Sequence, residues 1–341
     1  MTTIDEHLIY AAFAGDTPKV RDLLEQGANI QARANSALYF AVENGHGATV
    51  KLLLKRGADP NDEDDGSEVL RSAAANGDIE IVKLLLSHGA DVDESGHDAL
   101  NYAAGKGHIA IVKLLVESGV DISADNCEAL TWAAGNGHSD VATYLIALGA
   151  DVNKREAAAL EEAVANCHPE MVALLLDHGS DIHCGNEAPL CIAATNGDLE
   201  MMTLLLNRGA NIHADNDRVL LMVSVDGPRD SAAFLLDHGK YRHEKPGLAL
   251  VALATIGDRQ EVGLLITAGA DVHVFDDVAL RSAAANGHLA VVDLLLPKYL
   301  LSQLEQLRDT WDDPILARIL TAEILQRHAK AFMKNTLVLE I

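Results

Sequence analysis

One glycine recurs along this chain at an almost fixed interval: Gly15, Gly45, Gly77, Gly107, Gly137, Gly197, Gly227, Gly257 and Gly287. The step is 30 residues, lengthened to 32 between Gly45 and Gly77, and the one missing beat is filled by Cys167. Around each beat the same string returns, most legibly Ala279-Leu280-Arg281-Ser282-Ala283-Ala284-Ala285-Asn286-Gly287-His288. An apolar stretch such as Val292-Asp293-Leu294-Leu295-Leu296 follows, and most copies close on Gly-Ala-Asp, as at Gly89-Ala90-Asp91. Ten copies run from about residue 5 to 297. A period between about 20 and 50 residues marks a solenoid, whose units bury their apolar faces only by stacking on neighbours.

Each copy reads as helix, turn, helix, finger. Between residues 98 and 122, Ala99-Leu100 and Ala103-Ala104 share one face, which predicts a short inner helix over 99–106. Gly107 is placed to end it left-handed, without steric cost. His108 opens the outer helix, where other copies carry His46, His138, His168, His288 or Asp16, Asp78, Asp198, Asp258. A polar side chain there is expected to cap orphan amides. Ile111-Val112 with Leu114-Leu115 supplies the outer stripe, and Gly119 ends it. Asn126, Asn186, Asn216 and Asp276 are expected to cap inner helices.

This string resembles the ankyrin repeat family over about residues 5 to 297. The resemblance implies an all-α, ankyrin-type solenoid of about ten helix-turn-helix repeats: an array over 1–297 with a helical C-terminal cap over 298–341. It also implies a non-catalytic scaffold that binds a partner protein in a concave groove lined by inner helices and fingers. The family's Thr-Pro-Leu-His opening is absent, and only its leucine survives, at Leu38, Leu70, Leu100, Leu130, Leu160, Leu190, Leu220, Leu250 and Leu280. Each copy is about three residues shorter than the usual 33, so the fingers are expected to be turns rather than hairpins. Such short repeats resemble those in ankyrin proteins of large viruses and host-associated bacteria, which implies a host-directed effector.

Composition narrows the partners. With 51 acidic and 26 basic residues the formal net charge is −25, and no basic stripe stands out to meet nucleic acid or an acidic membrane. The N-terminus lacks a basic start and an apolar core, and no run approaches the ~18 apolar residues of a membrane span. Cys127, Cys167, Cys184 and Cys191 form no disulfide framework. A reduced, cytoplasmic monomer is expected, in its own cell or a host's, with a protein partner that carries basic segments.

Reactive constellations fail on inspection. The acidic finger Asp59–Glu68 suggests calcium, but Gly66 at the sixth loop position puts Ser72 where a bidentate glutamate is needed. His183, His213, His243 and His273 occupy one finger position in successive copies, about 10 Å apart by helix packing. A shared metal needs ligands ~2 Å away, so these histidines are expected to bond neighbouring finger backbone. No nucleophile–base set or phosphate loop emerges, and no catalysis, cofactor or metal is expected.

The variable inner-helix positions nominate the partner-binding residues: Tyr39, Arg71, Tyr102, Trp132, Glu161, Glu162, Leu221, Val225, Val251 and Ile256. Tyr10, Phe13, Tyr39, Phe40, Tyr102 and Trp132 hold six of the thirteen aromatics on one stripe. An alternative has Tyr10, Phe40, Tyr102 and Trp132 simply wedge between repeats. Leu221, Val225, Val251 and Ile256 would form an exposed apolar patch, with Glu161 and Glu162 acidic between the two.

Three irregularities stand out. Cys167 left-handed would cost about 1–2 kcal/mol. Copy eight is eroded, with Pro228 after its glycine, Lys240-Tyr241-Arg242, and Pro246 in its finger. Beyond Pro297 the period stops: leucines at 300, 301, 304 and 307 predict one helix over 298–308. Asp312-Asp313-Pro314 then predicts the start of another, running to about Ala331 with Ile315, Leu316, Ile319, Leu320 and Leu325 inward. Leu296-Pro297-x-x-Leu300-Leu301-x-x-Leu304 also resembles the opening of an F-box, which implies an alternative role as substrate adaptor for a ubiquitin ligase.

Overall fold

The shared leucine ties each copy down. In the computed structural model, which describes residues 3–61, 66–124, 128–225, 227–239, 245–310 and 317–328, Leu8, Leu38, Leu70, Leu100, Leu130, Leu160, Leu190, Leu220, Leu250 and Leu280 are all buried. The alanine pairs beside them are equally buried, as at Ala103 and Ala104, and their small side chains let neighbouring inner helices approach. Ile111, Val112 and Leu115 bury the outer helix of the same copy. Among the described residues there is no strand, and the fingers are turns, as expected.

The chain divides into two compact units, Met1–Cys184 and Gly185–Ile341. In the first, inner helices Ile4–Phe13, Ala32–Glu43, Gly66–Asn76, Glu94–Gly105, Ala129–Gly135 and Lys154–Ala165 each pack on the next. Outer helices Thr17–Glu25, Gly47–Lys55, Ile79–Ser87, Ile109–Glu117, Ser139–Ala147 and Pro169–Asp177 form a second layer. The second unit repeats the pairing: Cys184–Asn196 with Leu199–Asn207, Ala214–Val225 with Arg229–His238, Pro246–Ile256 with Arg259–Thr267, and Val274–Ala285 with Leu289–Leu295. A 3₁₀ turn (Leu296–Lys298), a helix (Leu301–Thr310) and helical residues 317–328 follow. Pro246 opens an inner helix at its first position, rather than lying in the finger.

The turn glycines Gly15, Gly77, Gly107, Gly137 and Gly257 each serve two purposes. At Gly107 φ is +73°, and a Cβ would lie 2.6 Å from Nδ1 of His138 in the next copy. That imidazole does not cap its own helix. Its Nε2 instead lies 3.1 Å from the carbonyl of Gly105, at the end of the preceding inner helix. His46, His108, His168 and His288 repeat the link to Phe13, Ala75, Gly135 and Thr255. A carbonyl only accepts, so each Nε2 carries the hydrogen. Asp16, Asp198 and Asp258 do cap their own helices, accepting from Lys19, Met201 and Glu261 backbone N–H. Cys167 keeps the left-handed turn at φ +58°, and the copy after it opens with Asp198 instead of an imidazole.

Fingers are built by Asx turns: Asp59, Asp91, Asp121, Asp151, Asp181 and Asp271 each accept from the backbone N–H two residues on. Neighbouring fingers are clamped by asparagine. Asn61 donates to Gly89 O and accepts from Asp91 N, and Asn153 does the same to Gly179 and Asp181. The finger histidines do something else: His213 and His273 place Nδ1 2.7 and 2.8 Å from the carboxylates of Asp217 and Asp277. His243 lies outside the described residues.

Inner helices open through a short left-handed turn: Arg155-Glu156-Ala157, Gly185-Asn186-Glu187 and Phe275-Asp276-Asp277 all have φ between 51° and 65°. Asn186 and Asp276 sit mid-turn, so they do not cap; Asn126 and the Asn216 side chain lie outside the described set. The turn aims its third residue at the next finger, where Asn35 donates to Asp59 O and Glu187 accepts from Asn211 N.

Candidate functional site

In the first unit two glycines fix the candidate surface. A Cβ on Gly105 would lie 3.1 Å from the Trp132 ring, and one on Gly135 3.4 Å from Cβ of Glu162. Their absence lets each larger side chain lie across the preceding inner helix. Glycine inside a helix costs about 0.5–1 kcal/mol against alanine; at Gly105 it leaves the space that the Trp132 ring occupies.

A ladder of side chains results. Arg71 lies over the Tyr102 ring, 5.5 Å from its centroid. Tyr102 meets Trp132 at 5.0 Å and 59°. Trp132 Nε1 points at Glu128 Oε2 at 3.4 Å, and the other oxygen of Glu128 pairs with Arg155. All four expected residues from Arg71 to Glu161 on this stretch (Arg71, Tyr102, Trp132 and Glu161) are half-buried, and Glu162 is exposed. The wedge reading therefore holds for Tyr102 and Trp132, while one flank of each stays in reach of solvent. Glu161 accepts the Cys184 thiol at 3.9 Å, and Glu162 accepts from Asn166 at 3.3 Å. Tyr39 and Phe40 are half-buried, but Tyr10 and Phe13 are exposed.

The register just after the shared leucine is less open than the sequence suggested. Asn101, Cys191 and Val251 are buried there. Val251 in particular is fully buried, which removes it from the expected apolar patch: copy nine's inner helix is apolar all round and is packed on both sides. Ile256 is half-buried, and the side chains of Leu221 and Val225 lie outside the described set. Glu128 and Arg155 are the residues that sequence reasoning left off the site, while Tyr10 and Phe13, which it placed on the aromatic stripe, stand the most open.

In the second unit Asp217 is buried between His213 and Lys245. Burial pushes its carboxyl up, but the hydrogen bonds from Lys245 and His213 outweigh that and hold it below the usual carboxylate range. Burial, reinforced by the charges of Asp277 and Asp271, pushes the Tyr299 phenol well up. Burial also raises the Cys191 thiol. A polar cleft of about 530 Å³ lies between copy ten and helix Leu301–Thr310, with Asp276, Arg281 and Gln303 on its walls. Among the described residues no three His, Cys, Asp or Glu side chains are arranged to hold a metal, and no helix is long and apolar enough to cross a membrane.

A family model described as ankyrin repeats (3 copies) matches residues 4–64, 60–126, 123–186 and 160–246. The crystal structure of the human ASB11 ankyrin repeat domain is similar at 26% identity and a TM-score of 0.54, covering 60% of this chain and 98% of that one. The chain is 40% identical over 72 residues to mitochondrial disaggregase of Bos taurus and 39% over 72 residues to that of Homo sapiens. It is 40% identical over 70 residues to zygote-specific protein 3 of Chlamydomonas reinhardtii. Each of these matches takes in 20% of this chain and between 10% and 19% of the relative.

Proposed function

This chain belongs to the ankyrin repeat family, and we propose that it is a non-catalytic scaffold that grips a partner protein on the inner-helix face of its first unit. Ankyrin arrays are protein-interaction domains. The observation that carries the reading is the ladder Arg71–Tyr102–Trp132–Glu128, which ends beside the acidic pair Glu161 and Glu162. Half-open aromatic rings held by their neighbours present contact area at little entropic cost. The first 184 residues contain 30 acidic and 12 basic residues, a formal net of −18. A segment with lysines or arginines therefore suits this face in attraction and in approach rate. The host-directed setting belongs to the same proposal.

For the tail we propose a cap. Leu304, Leu307, Leu320 and Ile324 are buried, and Arg327 donates to the carbonyls of Leu296 and Tyr299 at 2.7 and 2.6 Å. Leu296 and Leu304, two apolar positions of the F-box-like string, are committed to this packing. That supports the cap over the ubiquitin-ligase adaptor.

The test is affinity capture from eukaryotic lysate with the intact chain, a Trp132→Ala variant and a Glu161→Lys/Glu162→Lys variant. A partner retained by the intact chain and lost by both variants, with helicity unchanged, is expected. A partner held equally by all three would overturn the inner-face assignment. Ubiquitin-machinery subunits lost on deleting residues 297–341 would favour the adaptor instead.

A further inference from the structure

Four aromatic side chains gather at the first two copies, away from the Tyr102–Trp132 pair. Phe13 meets Phe40 edge-on at 5.8 Å and 78°, and Phe40 meets Tyr39 at 5.4 Å and 70°. Tyr10 stands one turn before Phe13 on the same helix. Tyr10 is 66% exposed and Phe13 51%, the two most exposed aromatics among the described residues. Trp132 occupies the same repeat register as Tyr10 and is half-buried, so the register alone does not expose a ring.

The helix carrying these rings is held firmly. Thr3 and Glu6 form a capping box, each accepting the other's backbone N–H. Asp5 accepts from Asn29 N at 2.7 Å, and Glu6 pairs with Arg33 at 2.6 Å. Exposure here is therefore not fraying. A rigid platform of large apolar area is what a partner's side chains can bury against with little ordering cost.

The rim selects the occupant. Glu6 lies one turn before Tyr10 on the same face, and exposed Glu43 holds Phe13's register in copy two. Arg33 is tied to Glu6, and the unit as a whole carries a formal −18. A second copy would bring like charge onto like charge. Resting on the inner-face reading above, we propose that Tyr10, Phe13 and Phe40 anchor an amphipathic segment of a partner protein whose apolar side is flanked by lysine or arginine. Its apolar side chains cover the rings, and its cations meet exposed Glu43 within the negative field of the unit.

A random peptide-display library of about 16-residue segments, a length that allows about four helical turns, selected on the full chain supplies the probe. Selected peptides are expected to combine aliphatic or aromatic residues with lysine or arginine. Tyr10→Ala/Phe13→Ala is expected to weaken them at least about 30-fold, and salt near 0.5 M to weaken them further. Both side chains are exposed, and hydrogen exchange of residues 4–13 checks that the helix survives. Unchanged affinity in this variant overturns the platform. If the same peptides instead fail on Tyr102→Ala/Trp132→Ala, the inner-face reading stands without it. Selection of acidic peptides, or of none, also overturns it, as does a dimer in solution that Tyr10→Ala abolishes.

Discussion

Gly107 and His138 form a coupled pair. The imidazole needs the space a Cβ would take, and the turn needs a positive φ. Gly119 has the same need for φ but nothing within 4 Å of a Cβ. Gly119→Ala is therefore expected to cost about 1–2 kcal/mol from backbone strain alone, and Gly107→Ala about 1–3 kcal/mol more from overpacking. Replacing His138 by Asp should recover most of that excess, as denaturant titration of the four proteins would reveal. Cys167→Gly should gain up to about 1 kcal/mol, the left-handed cost less the added freedom of the unfolded chain. Asp217 gives a pH-dependent case. Its folded carboxyl titrates below the usual ~3.9, so its stabilisation is present above that value and disappears as pH falls through the lowered one. Asp217→Asn should thus cost about 1–3 kcal/mol near pH 7, from lost charged hydrogen bonds, and close to nothing once the pH has fallen below the lowered folded value. A pH series of unfolding midpoints checks both arms.

Helix boundaries and stripes were legible because a 30-residue period superimposes ten versions of one pattern. The cap chemistry was not. Histidine and aspartate alternate at one position, yet Asp258 caps its own helix while His288 ties back to Thr255. Only stacking decides between them, since the carbonyl lies 33 residues away. The left-handed turns were equally hidden, because Arg155, Glu156 and Ala157 favour ordinary helix by propensity. Glu156→Gly is expected to stabilise the first unit by about 0.5–1 kcal/mol, measurable by thermal melting. A matching loss would show that the turn is not left-handed in solution. In the tail, the apolar stripe was readable but its orientation only partly so: Leu300 and Leu325 are exposed, while Leu320 and Ile324 are buried. Arg327 is the anchor no pattern announced. Arg327→Met should lose about 2–3 kcal/mol of local stability, seen as faster hydrogen exchange over 301–310 and 317–328. Unchanged exchange there would contradict the cap.

At the scale of the whole molecule, repetition explains why the fold could be read and the site only in part. Every copy must present the same leucine to its neighbours, but the groove face is free to vary, and neighbours set its exposure. Val251 looked open by register and is buried because the helix around it is apolar on every side. Tyr10, which the sequence left between a partner contact and a wedge between repeats, stands open. Partner pairs such as Glu128–Arg155 span 27 residues and follow from stacking rather than from any local motif. The excess of negative charge in the first unit further predicts that partner association slows and weakens as salt rises. The most direct test of the inner-face claim is site-specific photo-crosslinking in lysate. A photoreactive phenylalanine analogue replaces either Glu162 on an inner helix or Lys113 on an outer helix. A protein adduct is expected from the Glu162 position and none from Lys113. Adducts from Lys113 alone would place the partner on the opposite layer and contradict it.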